Sequence, residues 1–600
     1  MPTARRRLVS ALIVSFSLSF SITGFAFAEA SPDEQFIIPA PPTSDRYTAM
    51  VMNDDQSSRN PVVYLEAKDS VNHQENERMI SMEVCTKYGY LGCDSSKYMQ
   101  YETILNYCDE LYTHDCISEV NATNEDGTKL DVAYLQKFPL TTPTPYTGDL
   151  AANLPGGGTS FLVNIPKAPH NGGSLYLITG IMTGQKHFED KTFQTDNFQL
   201  AIYAVSKKVA ECSLPAPEYS WRSRDFIVRG RQNTMGGCSD GTLTNGQSLP
   251  CVQIDNTICL LSWPLPMDIN FEVKLKLHAS IKGWLHGRLA EVQANISMAR
   301  DGDQIIQVSG RPTKVPGIFA AFKKTELPSE IREFYAKDSG ADGNGSGWGN
   351  NSTLVDGHPW NILKSINHYD ENGFQEMLAW VNSVGNKATF APTIWSIHTM
   401  NPGEEFNRCL TDDSQLNGIV TTNATMYIGG PPTFDATDKT LDYKVAAPHF
   451  LPNDEVFKGI YNLAIRSSFA RCIYGFTDAP VSATVSVIGV DGKSEITTSS
   501  LTENNGWIYL RTTGFTFSSP VIRIKLNQEK VSTDATIPIP TTPKEVAPAA
   551  NANVNSLQTK AKVTSQTKLQ SITCSKGNLR KTITASKPKC PAGFKLVSRK

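Results

Sequence analysis

The residues with the clearest chemical potential are twelve cysteines. A cysteine can serve as a nucleophile or a metal ligand, but two thiols that meet in an oxidising compartment form a disulfide. Their number is even, no Cys-x-x-Cys occurs, and no histidine stands at ligand spacing beside a cysteine pair. We therefore expect disulfides rather than a zinc site or a cysteine nucleophile.

The cysteine spacing favours short covalent loops, although sequence alone leaves the connectivity open. Four pairs would each close a short local loop. A fifth pair would link strands that are distant in the sequence, and the sixth is left by elimination. The local candidates are Cys85–Cys93, Cys108–Cys116, Cys238–Cys251 and Cys574–Cys590, and the remaining pairs would be Cys409–Cys472 and Cys212–Cys259.

Two sequence features resemble parts of metal or hydrolase sites but are incomplete. The loop Asp342–Gly347 imitates the start of a calcium-binding loop, yet Thr353 stands where a bidentate Glu is required. No His-Glu-x-x-His occurs, and no Gly-x-Ser-x-Gly stands in a strand–turn–helix context. We therefore expect no metal ion and no cofactor, and the sequence identifies no catalytic residue.

A secreted carbohydrate-active or other hydrolytic enzyme remains the alternative interpretation. Acidic pairs at 404–405 and 412–413 could supply two carboxylates. Trp360, Trp380 and Trp395 could stack on sugar rings, although burial in a core is the more frequent role of tryptophan.

The C-terminal 40 residues have an unusual charge. Residues 561–600 contain ten Lys or Arg and no acidic residue, whereas residues 29–560 contain 43 basic against 59 acidic residues, a net charge of −16. A basic tail on an acidic body indicates attraction of the tail to an anionic polymer or surface. The acidic body argues against a nucleic-acid-binding role. The candidate contact residues are Lys576, Arg580, Lys581, Lys587 and Lys589.

The tail also carries two short motifs, Ile572-Thr-Cys-Ser-Lys-Gly577 and Lys587-Pro-Lys-Cys-Pro-Ala-Gly-Phe594. They resemble the basic C-terminal module of many secreted and surface proteins of actinobacteria. Segments 115–120 and 472–476, and segment 505–507 together with 514–518, are similar to parts of large surface proteins from the same bacteria. The charge and the terminal position of the module indicate association with the cell wall, and the resemblance supplies no catalytic residue.

The N-terminus is typical of a secretory signal peptide. Three arginines at 5–7 precede an apolar run, Leu8–Ala28, that ends in Ala-Phe-Ala. We expect cleavage after Ala28; an uncleaved anchor helix is the alternative, because the run is about long enough to span a bilayer. After cleavage no transmembrane helix is expected.

Periodicity predicts the principal elements. Residues 269–278 alternate strictly, with Phe271, Val273, Leu275 and Leu277 on one face, as expected of a half-buried strand. Apolar residues at roughly helical spacing predict a helix within 98–112, and two further helices are predicted at 328–336 and 373–384.

These patterns predict a mainly β fold with several β-sandwich-like domains, a small disulfide-clamped helical subdomain and a short helical insertion. The segments are 1–28 signal peptide; 29–128 N-terminal segment with the helical subdomain; 129–215 and 216–327 β domains; 328–400 helix-containing connection; 401–527 C-terminal β domain; 528–560 linker; and 561–600 basic tail. Composition excludes a disordered chain, a coiled coil and a polytopic membrane protein. We expect a secreted, wall- or surface-associated protein with a structural or ligand-binding role, whose tail binds anionic wall polymer or glycan.

Overall fold

The computed structural model describes most of the body of the chain and three strands near its C-terminus. The described residues are 47–52, 61, 63–68, 82–89, 93, 98–140, 146–187, 189–209, 251–255, 258–337, 360–365, 371–400, 409, 416–477, 481–488, 494–496, 498–517, 521–528, 570–576, 579–585 and 595–599.

The described fold is mainly β, as the sequence predicts, and its largest element is a sheet of 16 strands. Its strands, in chain order, are β2 Tyr64–Lys68, β3 Met82–Val84, β4 Tyr98–Ile104, β7 Ala133–Phe138, β8 Ser160–Asn164, β9 Leu175–His187, β10 Gln194–Val209, β11 Cys251–Asp255, β12 Ile258–Trp263, β14 Gly283–Arg288, β17 Thr313–Lys314, β20 Thr393–Thr399, β21 Leu416–Thr422, β25 Lys458–Arg466, β28 Thr498–Asn504 and β29 Trp507–Thr516. The central path of the sheet runs β28-β29-β25-β21-β14-β20-β10-β9-β4-β2-β3, with side branches at β9, β10 and β20.

Three smaller sheets complete the described part of the body. A five-stranded sheet has the order β15-β16-β13-β6-β5; a six-stranded sheet runs β22-β24-β30-β26-β27, with β23 beside β24; and a three-stranded sheet has the order β18-β1-β19. The strands of the five-stranded sheet are β5 Asn106–Tyr107, β6 Cys116–Thr123, β13 Asn270–Leu277, β15 Ala290–Met298 and β16 Gln304–Arg311. Those of the other two are β1 Tyr47–Met52, β18 Ile318–Lys323, β19 Trp360–Ser365, β22 Met426–Tyr427, β23 Thr433–Asp435, β24 Thr440–Ala446, β26 Val481–Ile488, β27 Ser494–Ile496 and β30 Val521–Gln528.

Helices are few within the described ranges. They are the 3-10 turn Lys324–Glu326 and the α-helices α1 Ser329–Lys337, α2 Glu371–Ser383 and α3 Ser467–Tyr474. The first two α-helices confirm the predicted helical insertion. Their apolar faces share a core with β1 and β18, in which Ile331, Phe374 and Trp380 are buried.

The body is built in layers, because each sheet buries one face against another element. The inner face of the five-stranded sheet packs against the long sheet in one continuous core, where the ring centroids of Tyr176 and Phe271 lie 5.4 Å apart. The six-stranded sheet and α3 cover another part of the long sheet. This face-to-face packing gives the sandwich-like architecture that the sequence predicts.

The alternation in 269–278 is confirmed in β13. Phe271, Val273, Leu275 and Leu277 are buried, and the residues between them are partly exposed. The helix predicted within 98–112 is wrong, because this segment forms β4 and β5. Main-chain pairing of β4 with both β2 and β9 buries Met99 and Tyr101 in the long sheet, and this non-local pairing outweighs the roughly helical spacing. The two nearby disulfides therefore brace strands rather than a helical subdomain.

Strand pairing joins β segments that the sequence analysis assigns to separate domains. Main-chain hydrogen bonds link β9 and β10 to β20, and β14 to β21, so the long sheet runs across the boundaries at 215, 327 and 400. Residues 1–530 form one compact unit. Residues 531–600 form a second, whose described strands are β31 Gln570–Lys576, β32 Leu579–Ala585 and β33 Lys595–Arg599. Among the described helices, none has the length and apolar character needed to span a bilayer.

Candidate metal centre

One end of the five-stranded sheet brings together three residues that are far apart in the sequence. In the antiparallel order β16-β13-β6, Lys276 pairs with Cys116 and Leu277 pairs with Gln304. One end of the sheet therefore contains the start of β6, the end of β13 and the start of β16. His114, His278 and Asp303 lie just beyond these three strand ends.

The alternation of β13 places His278 on the outer face of the sheet. Glu272, Lys274 and Lys276 occupy the preceding positions of that face. Lys274 pairs with Glu119 at 2.6 Å, and the next residue on the same side after Lys276 is His278, whose side chain is 33% exposed. The periodicity that buries the apolar face therefore also delivers the imidazole to the polar end of the sheet.

Asp303 is positioned by the turn between β15 and β16. The Ala299 N–H donates to the Asp303 carbonyl oxygen at 2.8 Å, and the Gly302 N–H donates to the Ala299 carbonyl oxygen at 3.1 Å. Gly302 has a φ of +92°, which suits glycine. The turn places the Asp303 carboxylate inward, where its side chain has no exposed surface.

The three side chains form a compact cluster whose ligand atoms all lie within 4.8 Å of one another. His114 Nδ1 is 2.5 Å from Asp303 Oδ2, and His278 Nδ1 is 3.3 Å from Asp303 Oδ1. The two imidazole rings meet edge to face at a centroid distance of 5.9 Å. Each carboxylate oxygen of Asp303 thus faces one histidine, and both histidines are partly open to solvent.

Backbone contacts hold the His278 segment in place. Asp115 Oδ1 accepts hydrogen bonds from the backbone N–H groups of His278 and Ala279, both at 2.8 Å. Burial raises the pKa of Asp115, while these two N–H groups act in the opposite direction. At the ring's other nitrogen, His278 Nε2 lies 3.1 Å from the carbonyl oxygen of Leu150.

The loop that carries His114 is tied down at both ends. The Cys108–Cys116 disulfide closes it, and the Asp109 carboxylate accepts backbone hydrogen bonds from Leu111 and Tyr112 at 2.8 and 3.0 Å. These constraints keep His114 near the strand end without burying its ring, which is 26% exposed.

Among the described lysines and arginines, Lys276 lies nearest to the Asp303 carboxylate. Its Nζ lies 2.7 Å from Asp301 Oδ2 and 3.5 Å from Asp303 Oδ2. The hydrogen bond with Asp301 raises the pKa of Lys276 and lowers that of Asp301. Lys276 therefore pairs mainly with Asp301 and makes a longer contact with the Asp303 carboxylate.

The predicted cysteine residues fall into two groups. The structure contains the disulfides Cys85–Cys93 and Cys108–Cys116, which are two of the predicted local pairs, and Cys409–Cys472, which is the predicted pair between positions distant in the sequence. Cys259 is also disulfide-bonded. Cys251 and Cys574 belong to strands β11 and β31, and Cys212, Cys238 and Cys590 lie outside the described residues.

Three of the candidate basic residues of the tail belong to a β-hairpin. In the β31–β32 register, Lys576 pairs with Leu579, Ser575 with Arg580 and Cys574 with Lys581. Lys587 and Lys589 lie outside the described residues.

Of the candidate sugar-binding tryptophans, Trp360 belongs to strand β19. Trp380 and Trp395 are 1% and 0% exposed, so both belong to the core and neither offers a face to a ligand. The acidic pairs at 404–405 and 412–413, and the loop Asp342–Gly347, lie outside the described residues.

The sequence does not single out His114, His278 and Asp303, because no local motif joins them. The available signals are a histidine at the end of the best alternating strand and an Asp-Gly-Asp turn before the next one. Their proximity follows from strand register. No protein-family model, no curated protein and no solved structure matches this chain.

Proposed function

We propose that the chain is an exported, envelope-associated protein with a structural or ligand-binding role, attached through its basic tail. The observation that carries this proposal is the set of disulfides in the β body. Cys85–Cys93 and Cys108–Cys116 brace strand ends locally, and Cys409–Cys472 joins positions 63 residues apart. Structural disulfides persist in oxidising compartments and are rare where thiols are kept reduced.

Charge distribution supports the tail as the attachment segment. The ten positive charges of residues 561–600 belong to the second compact unit, whereas the acidic residues are concentrated in the first. An anionic wall polymer or lipid surface would attract the tail and repel the body. At physiological ionic strength this attraction is screened over about 8 Å, so attachment is local and salt-sensitive.

Envelope retention tests this proposal. The full chain is compared with a version ending at residue 555, at low and high salt. We expect the full chain to be retained at low salt and released at high salt, and the truncated chain to be released at both. Equal retention of the two versions, or retention indifferent to salt, would contradict attachment by the tail.

Charge-neutralised variants separate the effect of charge from that of truncation. Lys576, Arg580 and Lys581 are replaced by Gln in the full chain. The matched control replaces three exposed body lysines, Lys167, Lys191 and Lys208, by Gln. We expect the tail variant to lose most of its retention and the body variant to keep it.

A further inference from the structure

We propose that His114, His278 and Asp303 bind a divalent transition-metal ion, zinc above all, and leave at least one coordination position open to water. Two imidazole nitrogens and a carboxylate form a ligand set suited to zinc and to other late first-row ions. Calcium and magnesium prefer all-oxygen sites, so this cluster selects against them. The proposal goes beyond the envelope role and stands independently of it.

The hydrogen bond to Leu150 decides which nitrogen of His278 faces Asp303. The carbonyl oxygen of Leu150 accepts hydrogen bonds and cannot donate, so the contact at 3.1 Å places a proton on His278 Nε2. The other nitrogen, Nδ1, lies 3.3 Å from Asp303 Oδ1. A proton on Nδ1 would make this contact an ion pair, and a metal ion that displaces this proton would bind the nitrogen and the carboxylate oxygen together.

Contacts with neighbouring residues orient the His278 side chain as in known metal sites. Metal-binding histidines commonly donate their second nitrogen to a carbonyl or carboxylate, which fixes the ring orientation. Leu150 provides this partner for His278, and the Asn153 N–H donates to the same Leu150 carbonyl oxygen at 3.1 Å, which holds it in a turn. Asp115 fixes the His278 backbone, so the ring is oriented from two directions.

The separations between the ligand atoms are compatible with a tetrahedral zinc site. Bonds of 2.0–2.2 Å at tetrahedral angles place two ligand atoms of one zinc ion about 3.3 Å apart. His278 Nδ1 and Asp303 Oδ1 already have that separation at 3.3 Å, whereas His114 Nδ1 and Asp303 Oδ2 are at 2.5 Å. Binding therefore requires the His114 nitrogen to withdraw by roughly 0.8 Å. Its partly exposed ring, on a loop rather than a strand, permits this movement.

Asp303 is a buried carboxylate in a polar cluster that is partly open to solvent. Its side chain has no exposed surface, and Lys276 lies 3.5 Å from Oδ2 while it holds Asp301 at 2.7 Å. Buried charges are paired or coordinate metal ions. A metal ion shared with the two histidines would add a closer positive charge while Lys276 stays with Asp301.

Calorimetric titration of the full chain tests the proposal. The protein is treated with a chelator, exchanged into chelator-free buffer and titrated with zinc chloride. We expect one site per chain with a Kd in the micromolar range or tighter. His114→Ala and His278→Ala should each weaken binding at least tenfold. His187→Ala, which removes an exposed histidine outside the cluster, should leave the Kd unchanged.

Cobalt absorption and thermal stability provide independent readouts. Cobalt bound by two nitrogens and a carboxylate should give visible d–d bands without the intense thiolate charge-transfer band of a cysteine site, and the bands should vanish in His114→Ala/His278→Ala. Zinc should raise the Tm of the wild-type chain and not that of this double variant. Absence of stoichiometric binding to the wild type, or binding that survives in the double variant, would overturn the proposal.

Discussion

The indole N–H of Trp395 donates a hydrogen bond of 2.8 Å to the backbone carbonyl oxygen of Gly310, and the Trp395 side chain is fully buried. Trp395 belongs to β20 in the long sheet, and Gly310 belongs to β16 in the five-stranded sheet. This bond therefore joins the two layers of the sandwich through the strand that begins beside Asp303. The layer that carries the candidate metal centre is held by polar as well as apolar contacts.

Replacing Trp395 by Phe should destabilise the body by about 2–4 kcal/mol, because the change leaves the buried Gly310 carbonyl without this donor and opens a cavity. Trp263→Phe is the matched control, since the Trp263 indole donates to Ser206 Oγ at 2.7 Å but is only partly buried. Urea unfolding measures both. Equal losses for the two variants would contradict a special role for the contact between the layers.

The disulfides should differ in their contributions to stability. In the chain-entropy model, the bond Cys409–Cys472, with a sequence separation of 63, contributes about 4 kcal/mol, and the bond Cys108–Cys116, with a separation of 8, about 2.5 kcal/mol. Double Cys→Ser variants of each pair, compared by thermal unfolding, test the order. A larger loss for the shorter loop would contradict the entropic interpretation.

His170 should make the body less stable in mild acid. Its Nε2 donates to the Leu175 carbonyl oxygen at 2.9 Å, and its Nδ1 accepts from the Gly172 N–H at 3.1 Å, so the native structure requires the neutral ring. Burial lowers the pKa of His170, although the Leu175 contact opposes the shift. The stabilisation is fully present above the unfolded-state pKa of about 6.5 and is lost as the pH falls from there through the lower folded-state value.

Thermal unfolding between pH 8 and pH 5 measures this effect. The His170→Leu variant should be less stable at pH 8, because it loses both hydrogen bonds, but its Tm should fall less on acidification. His187→Leu, at an exposed position, serves as the control and should keep the wild-type slope. An unchanged slope in His170→Leu would show that other groups govern the acid response.

Gly418 should tolerate no side chain. It lies beside Trp284 in the parallel pairing of β21 with β14, and a Cβ atom there would come within 2.1 Å of Trp284 Cζ3. Gly418→Ala should cost about 2–3 kcal/mol through overpacking. Gly180→Ala is the matched control, since its nearest contact would be the flexible end of Leu105 at 3.2 Å. Equal effects in urea unfolding would argue against the close packing of Trp284.

Lys276 should oppose zinc binding. Its ammonium lies 3.5 Å from Asp303 Oδ2, and a charge at about 4 Å contributes about 1 kcal/mol even in water, which corresponds to about fivefold in Kd. Lys276→Gln should therefore tighten zinc binding by about that factor, whereas Lys274→Gln, whose lysine pairs with Glu119, should leave it unchanged. Weaker zinc binding in Lys276→Gln would contradict this arrangement of charges.

Local patterns predicted those elements whose buried face can be identified from the spacing of apolar residues within the segment. The alternation of β13 and the apolar stripes of α1 and α2 lie within one segment, and the sequence located all three. The helix within 98–112 was predicted incorrectly because the same aromatic residues fit a strand once β2 and β9 lie on either side. Short cysteine spacings predicted local disulfides, since nearby residues meet at low entropic cost.

The candidate metal centre depends on information that no local pattern contains. His114, His278 and Asp303 meet because β6, β13 and β16 pair in one register, and a shift of that register would separate them. Similarly, the extent of the long sheet follows from pairings such as β10 with β20, which connect segments on opposite sides of sequence boundaries.

The most direct test of the proposed export is intact mass spectrometry of the protein recovered without reduction from the cell envelope. We expect a chain that begins at Glu29 and contains no alkylatable thiol among its twelve cysteines after denaturation. We also expect this species in the envelope fraction rather than in the cytoplasm. A cytoplasmic chain with residues 1–28 intact and several free thiols would show that the protein is not exported.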